Sequence, residues 1–195
     1  MLNRVGIGLF FVLLTMACSN LPGRVDLASL DCCSNLDTLL VVVETPAGKT
    51  VFNQYDPESK RFEESRKELD FLGSPGNWCL LPGTTKDAAR QEAFAPLSML
   101  VLGDALAPGT QLRVKPLATL LVERNGRSTY FLVGAPIDGR GIQARSFREL
   151  SIEYDPVRRM LENWLLNYRG LAKDRLIGWK EEGFSKDLIK RHMVE

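Results

Sequence analysis

The spacing of apolar positions changes twice along the chain. Residues 5–17 read VGIGLFFVLLTMA, an uninterrupted apolar run with Arg4 ahead of it. From Leu39 the apolar residues fall into short runs bounded by turn residues. Leu39-Leu40-Val41-Val42-Val43 ends at Pro46-Ala47-Gly48 and predicts a buried strand. Residues 50–56 predict a second strand, Asp56-Pro57-Glu58-Ser59-Lys60 a turn, and Arg61-Phe62-Glu63 a strand pairing back. Asn77-Trp78-Cys79-Leu80-Leu81, closed by Pro82-Gly83, predicts another strand, and residues 86–92 a polar loop or short helix. Residues 98–102 are apolar up to the turn at Pro108-Gly109. Residues 112–123 and 128–133 flank Asn125-Gly126, the strongest short hairpin signal a sequence carries. Evenly spaced short strands with tight turns predict a small barrel or sandwich.

The second change comes at Val157. Val157, Met160, Leu161, Trp164, Leu165 and Tyr168 repeat at i, i+3, i+4 and i+7, one face of a helix. Asp155-Pro156 opens this helix and Gly170 closes it. A last helix is predicted from Ser185, as N-cap, to about Met193. Strands first and helices last is an α+β order.

Residues 5–17 are too short to span a bilayer, which takes about 20 apolar residues. With small residues following, they fit the core of a signal peptide. Leu14-Thr15-Met16-Ala17-Cys18 resembles a lipobox, with Thr15 where its leucine usually stands, so Cys18 is the expected lipidation site. Ser19 after the cysteine favours, by the same resemblance, the outer membrane. The expected organisation is a signal peptide over 1–17, a lipidated tether over 18–38 and one domain over 39–195, held at the cell envelope and facing the periplasm.

The chain's 25 basic and 24 acidic residues nearly balance. They form no run of like charge, which gives no reason to expect nucleic acid as a partner. Export permits disulfides, and Cys32, Cys33 and Cys79 are the candidates. Adjacent cysteines seldom bond each other, so a bridge from Cys79 to one of the pair is expected. With His192 as the one histidine, neither a zinc site nor a Ser/His/Asp set is expected.

Several landmarks, in order, resemble family I soluble inorganic pyrophosphatases. Val42-Val43-Glu44-Thr45-Pro46-Ala47 is similar to that family's VEIPA-like first strand, and Tyr55-Asp56-Pro57-Glu58-Ser59-Lys60 to its IDKESG-like turn. Ser74-Pro75-Gly76-Asn77-Trp78 sits where the family has YPxNYG. Pro108-Gly109 and Lys115-Pro116-Leu117 match its PG and RPVG landmarks, and Asn163-Trp164-Leu165-Leu166-Asn167-Tyr168-Arg169 its FFxxYK helix. The resemblance runs from about residue 39 to 179. It implies a small five-stranded OB-like β-barrel flanked by two C-terminal helices, assembly from several copies, and magnesium held by carboxylates of a D-G-D-P-x-D loop.

Counted back from Pro108-Gly109, that loop falls on Glu92-Ala93-Phe94-Ala95-Pro96-Leu97, where Glu92 alone keeps a carboxylate. The acids and lysine of the following hairpin fall near Arg124, Thr129 and Phe131. Phe52, Asn53 and Gln54 stand where the family has a lysine and a glutamate, and Ser74 and Trp78 where it has tyrosines. Glu44, Arg66 and Tyr168 match family positions, and Arg169 replaces a lysine. Each also has a plain reading: Arg66 as a surface ion pair with Glu63 or Glu64, Tyr168 and Trp164 as core, Arg169 as a solvated cation. Asp87, Glu92 and Asp104 are the weak metal candidates.

Three functions follow as expectations. The first is a catalytically degenerate lipoprotein of this fold that binds an envelope protein or an anionic ligand and needs no cofactor. The second is a divergent magnesium-dependent inorganic diphosphatase or phosphohydrolase. The third is a structural envelope protein.

Overall fold

The structure is a computed structural model and describes residues 24–69, 71–85, 95–169 and 174–194. Among these residues, eight strands and three helices follow a short 3-10 turn at Leu27–Ser29. The strands are β1 (Leu39–Thr45), β2 (Val51–Asp56), β3 (Arg61–Glu68), β4 (Asn77–Leu81), β5 (Leu97–Val101), β6 (Gln111–Arg124), β7 (Arg127–Pro136) and β8 (Arg175–Glu181). The helices are α1 (Phe147–Ile152), α2 (Asp155–Asn167) and α3 (Glu182–Arg191).

Pairing runs β1-β4-β5-β7-β6, and β6 returns to β1, so five strands close into the expected barrel. The closing pairs include Val41 opposite Leu112. The parallel pair β5–β7, with Leu100 opposite Val133, is the one non-antiparallel seam. Because the ring consumes its own edges, alternate residues of all five strands point into one cluster. Val41 and Val43, Leu81, Met99 and Val101, Val114 and Leu132 form it, and Leu188 and Ile189 of α3 join it.

β6 outlasts the ring. Its second half pairs on one side with β7 through the Asn125-Gly126 turn and on the other with β8, Leu120 lying opposite Trp179. Asn125 and Gly126 have φ of 52° and 73°, the left-handed pair that a two-residue hairpin turn requires. A bulge between Pro116 and Ala118 frees β6 from needing the amide that proline lacks. A second apolar cluster lies outside the ring. There Leu117, Leu120 and Val133 meet Leu150 of α1 and Leu161, Trp164 and Leu165 of α2.

Several expectations are corrected. α3 begins at Glu182, after β8 without a loop, and Ser185 is not its N-cap. Ser185 is buried inside the helix, its Oγ 2.7 Å from Thr119 Oγ1, which ties α3 to β6. β8 and α1 are additional elements. Cys79 makes no bridge. Cys32 and Cys33 are disulfide-linked to each other, and Cys79 is a free thiol on β4, buried in the barrel cluster. Residues 24–38, within the expected tether, pack on the barrel. Leu27 is 0 % exposed against Val42, Tyr55 and Leu80, and the Leu40 amide donates to the Cys32 carbonyl at 2.9 Å. Cys18 and residues 86–92 lie outside the described residues. Among those described, no helix is long and apolar enough to cross a membrane.

Candidate functional site

A pocket of about 550 Å³ opens where the ends of β1, β2, β4 and β5 meet the β6–β7 hairpin and the C-terminus of α2. Such a volume suits a small ligand. Its positions follow from the elements already described. Tyr168 caps α2, Arg124 is the last residue of β6, and Phe131 sits on β7 beyond the hairpin turn. The β2–β3 hairpin is pinned to β1 because the Asn53 amide donates to Thr45 Oγ1 at 2.8 Å and Asn53 Nδ2 to the Glu44 carbonyl at 2.8 Å. This brings Phe52 and Glu44 to the pocket wall.

The floor is aromatic. Phe52 meets Trp78 edge-on with ring centroids 5.8 Å apart and Tyr168 at 6.3 Å. Phe131 lies 6.3 Å from Trp78 and 6.2 Å from Tyr168. Tyr168 stacks flat on Trp164 at 4.8 Å, and the Trp164 indole N–H donates to the Leu72 carbonyl at 2.9 Å. Tyr168 is packed in the outer apolar cluster and also lines the pocket.

Arg124 carries the electrostatics. Its Nε donates to Asp174 Oδ2 at 2.6 Å, a second guanidinium nitrogen lies 2.5 Å from the same oxygen, and Nη1 donates to the Tyr168 hydroxyl at 3.3 Å. The guanidinium also stands 5.6 Å from the Phe131 ring centre and 5.4 Å from that of Tyr168. Burial pushes Arg124 toward neutrality, but the bonds to Asp174 and Tyr168 outweigh it and raise its pKa, so the group is a permanent cation. The Asp174 side chain is 2 % exposed.

The sequence candidates separate. Glu44, Tyr168 and Arg169 reach the pocket, Arg169 as an exposed cation 5.3 Å from the Tyr168 ring centre. The Glu44 Oε1 accepts the Tyr55 amide at 3.2 Å. Arg66 lies on β3, its side chain outside what the structure describes, while Glu64 pairs with Lys49 at 3.8 Å. Asp104 is exposed and lines a different cavity beside Gly103 and Gly141. Asp87 and Glu92 are outside the described residues.

The family model for inorganic pyrophosphatase matches residues 41–195. An inorganic pyrophosphatase of Aeropyrum pernix is 23% identical over 80% of this chain and 88% of its own. One of Saccharolobus solfataricus is 21% identical over 80% and 90%. The crystal structure of inorganic pyrophosphatase from Thermus thermophilus superposes with a TM-score of 0.68 at 20% identity, covering 86% of this chain and 97% of the other. The fold and site thus define a pyrophosphatase-type barrel with a groove at one end. The chain belongs to the inorganic pyrophosphatase family.

Membership sharpens what the pocket lacks. With the proline of D-G-D-P-x-D placed on Pro96 instead, the register moves by one residue. The last aspartate then falls on Ser98, which lines the pocket, while Leu97 is packed in the barrel cluster. The other two fall on Ala93 and Ala95, and Glu92 drops out of the motif. Magnesium requires several hard oxygens, carboxylates above all. Among the described residues Glu44 is the carboxylate lining the pocket, and a fixed guanidinium lines the same space. No three of His, Cys, Asp and Glu among the described residues form a metal-holding group. These residues do not fit the magnesium cluster of the family. Asp174 and Ser98 escaped the sequence reading. Asp174 matches no landmark, whereas Pro96 marks Ser98 directly.

Proposed function

We propose that this protein is an exported, lipid-anchored member of the family that binds a phosphate-bearing anion in the Arg124 pocket, without a magnesium cluster and without the usual hydrolysis. The observation carrying this reading is the Arg124–Asp174 pair, a built-in cation where the resemblance calls for a metal-binding acid. A cation fixed by protein bonds supports anion binding at no metal concentration at all, and Arg169 adds an exposed guanidinium at the rim. Anchoring through Cys18 at the periplasmic face of the outer membrane is supported by the apolar run at residues 5–17 and by the lipobox-like stretch that ends at Cys18.

A second reading has its own support. The family match and the curated relatives, all inorganic pyrophosphatases, favour a divergent magnesium-dependent diphosphatase. On that reading Asp87 and Glu92 supply carboxylates that the described residues do not.

Phosphate release from pyrophosphate, measured on purified protein with magnesium, manganese or chelator, separates the two. Release at background in all three supports binding without turnover. Magnesium-dependent release abolished by chelator overturns it in favour of the enzyme.

A further inference from the structure

We propose that the ligand of this pocket is a ring-bearing phosphate monoester, with a nucleoside monophosphate as type case, and not a bare inorganic diphosphate. The inference rests on the phosphate-anion reading above and adds the rest of the ligand.

Charge is the first ground. The charged residues lining the pocket, among those described, are Glu44, Arg124 and Arg169. Arg124 is already engaged by Asp174, which leaves Arg169, among the described residues, as the exposed cation lining the pocket. One exposed guanidinium gives little hold on an inorganic diphosphate, whose charge is concentrated and strongly hydrated. A monoester carries a smaller charge, about −1.5 to −2 near neutral pH, which the rim guanidinium offsets in part. Its remaining affinity must come from its organic part.

The walls suit that part. Phe52 is half-buried at the pocket edge, and Trp78, Phe131 and Tyr168 complete an aromatic surface that a diphosphate cannot use. Every nucleobase has a π-face and stacks on such a surface. Trp78 gives an independent indication. It is 8 % exposed and lines the pocket, and its buried indole N–H finds no acceptor among the described residues. A buried donor left unpaired is costly, and a heterocycle or sugar oxygen that came within reach of it would satisfy it. Ser128 and Thr129 on β7 place hydroxyls at the same wall.

The test is titration of the purified full-length chain, in detergent and with chelator present, with adenosine monophosphate, phenyl phosphate, adenosine, inorganic phosphate and pyrophosphate. Binding is read by calorimetry. Adenosine monophosphate is expected to bind about tenfold more tightly than pyrophosphate or adenosine, with phenyl phosphate next. Trp78→Phe, which keeps a ring and removes the N–H, is expected to weaken adenosine monophosphate severalfold. Phe52→Ala, at a half-exposed position, tests stacking should Trp78→Phe fail to fold. Pyrophosphate binding as tightly as adenosine monophosphate, with both variants indifferent, overturns this inference and leaves the anion reading standing. Adenosine binding as tightly as its monophosphate, or no phosphate compound binding at all, overturns both.

Discussion

Asp174 is a carboxylate withdrawn from water, and the Arg124 guanidinium is what makes that burial tolerable. Removing one partner of such a pair strands the other, at a cost of about 3 kcal/mol. Arg124→Ala is therefore expected to lower the unfolding free energy by about that amount in denaturant titration. Arg124→Ala combined with Asp174→Ala should cost less than the sum of the two. Equal, additive losses would show that the pair is not coupled. The sequence displayed Arg124 as an oddity in the hairpin, because the landmarks place an acid there. It could not display the pairing, since the two residues meet only when β8 folds onto β6. Cys79 illustrates the same limit. Its burial, and secondarily the Glu44 charge, push the thiol well above its ordinary pKa, so it stays protonated inside the barrel instead of seeking a partner. Spacing in sequence says nothing of that.

At the scale of elements, α2 is held at its start by charge. Asp155 accepts from Arg158 at 2.6 Å and from Arg159 at 2.7 Å, while Glu162 accepts from Arg158 and from the Trp179 indole at 2.6 Å. The hydrogen bond from Arg158 leads the effects holding Asp155 below the ordinary carboxylate value of 3.8. A carboxylate lowered in the folded state contributes stability above its unfolded pKa and loses it as pH falls through the folded one. Asp155→Asn is thus expected to lower the melting temperature at neutral pH, by an amount that shrinks as the pH falls through the folded-state pKa and the native carboxyl is protonated as well. A deficit that stays constant across that fall would locate the effect elsewhere. Most strands and α2 were legible because their apolar period persists. β8 was not, since Arg175, Lys180 and Glu181 interrupt a strand that buries little of itself. α1 was legible but overlooked. Ser146 caps the Glu149 amide at 3.2 Å, and Glu149 reaches back one residue past the cap to accept the Arg145 amide at 2.7 Å, so the S-x-x-E sequence of a capping box is present with its second bond shifted by one residue.

For the molecule as a whole, the barrel is closed but not self-sufficient. Residues 24–38 cover β1 and β4, with Leu27 sealed at 0 % exposure and the Val25 amide bonded to the Lys60 carbonyl at 2.9 Å. A chain begun at Leu39 is expected to be less stable than one begun at Arg24 by about 2–3 kcal/mol for the Leu27 contact alone. Equal stability of the two truncations, compared by chemical denaturation, would mean that the segment is a passenger. Its polar composition made it look like a spacer, because a single deeply buried leucine leaves no periodic trace. The five-stranded ring was foreseen through family landmarks, not through periodicity, which leaves barrel and sandwich alike.

The Arg124–Asp174 pair also limits which substitutions its surroundings accept. A carboxylate at position 124 alone would set two acids side by side in a place that excludes water. A change at Asp174 alone would leave the guanidinium stranded in its turn. The two positions are therefore expected to change together, while a half-buried wall residue such as Phe52 can vary without disturbing either of them.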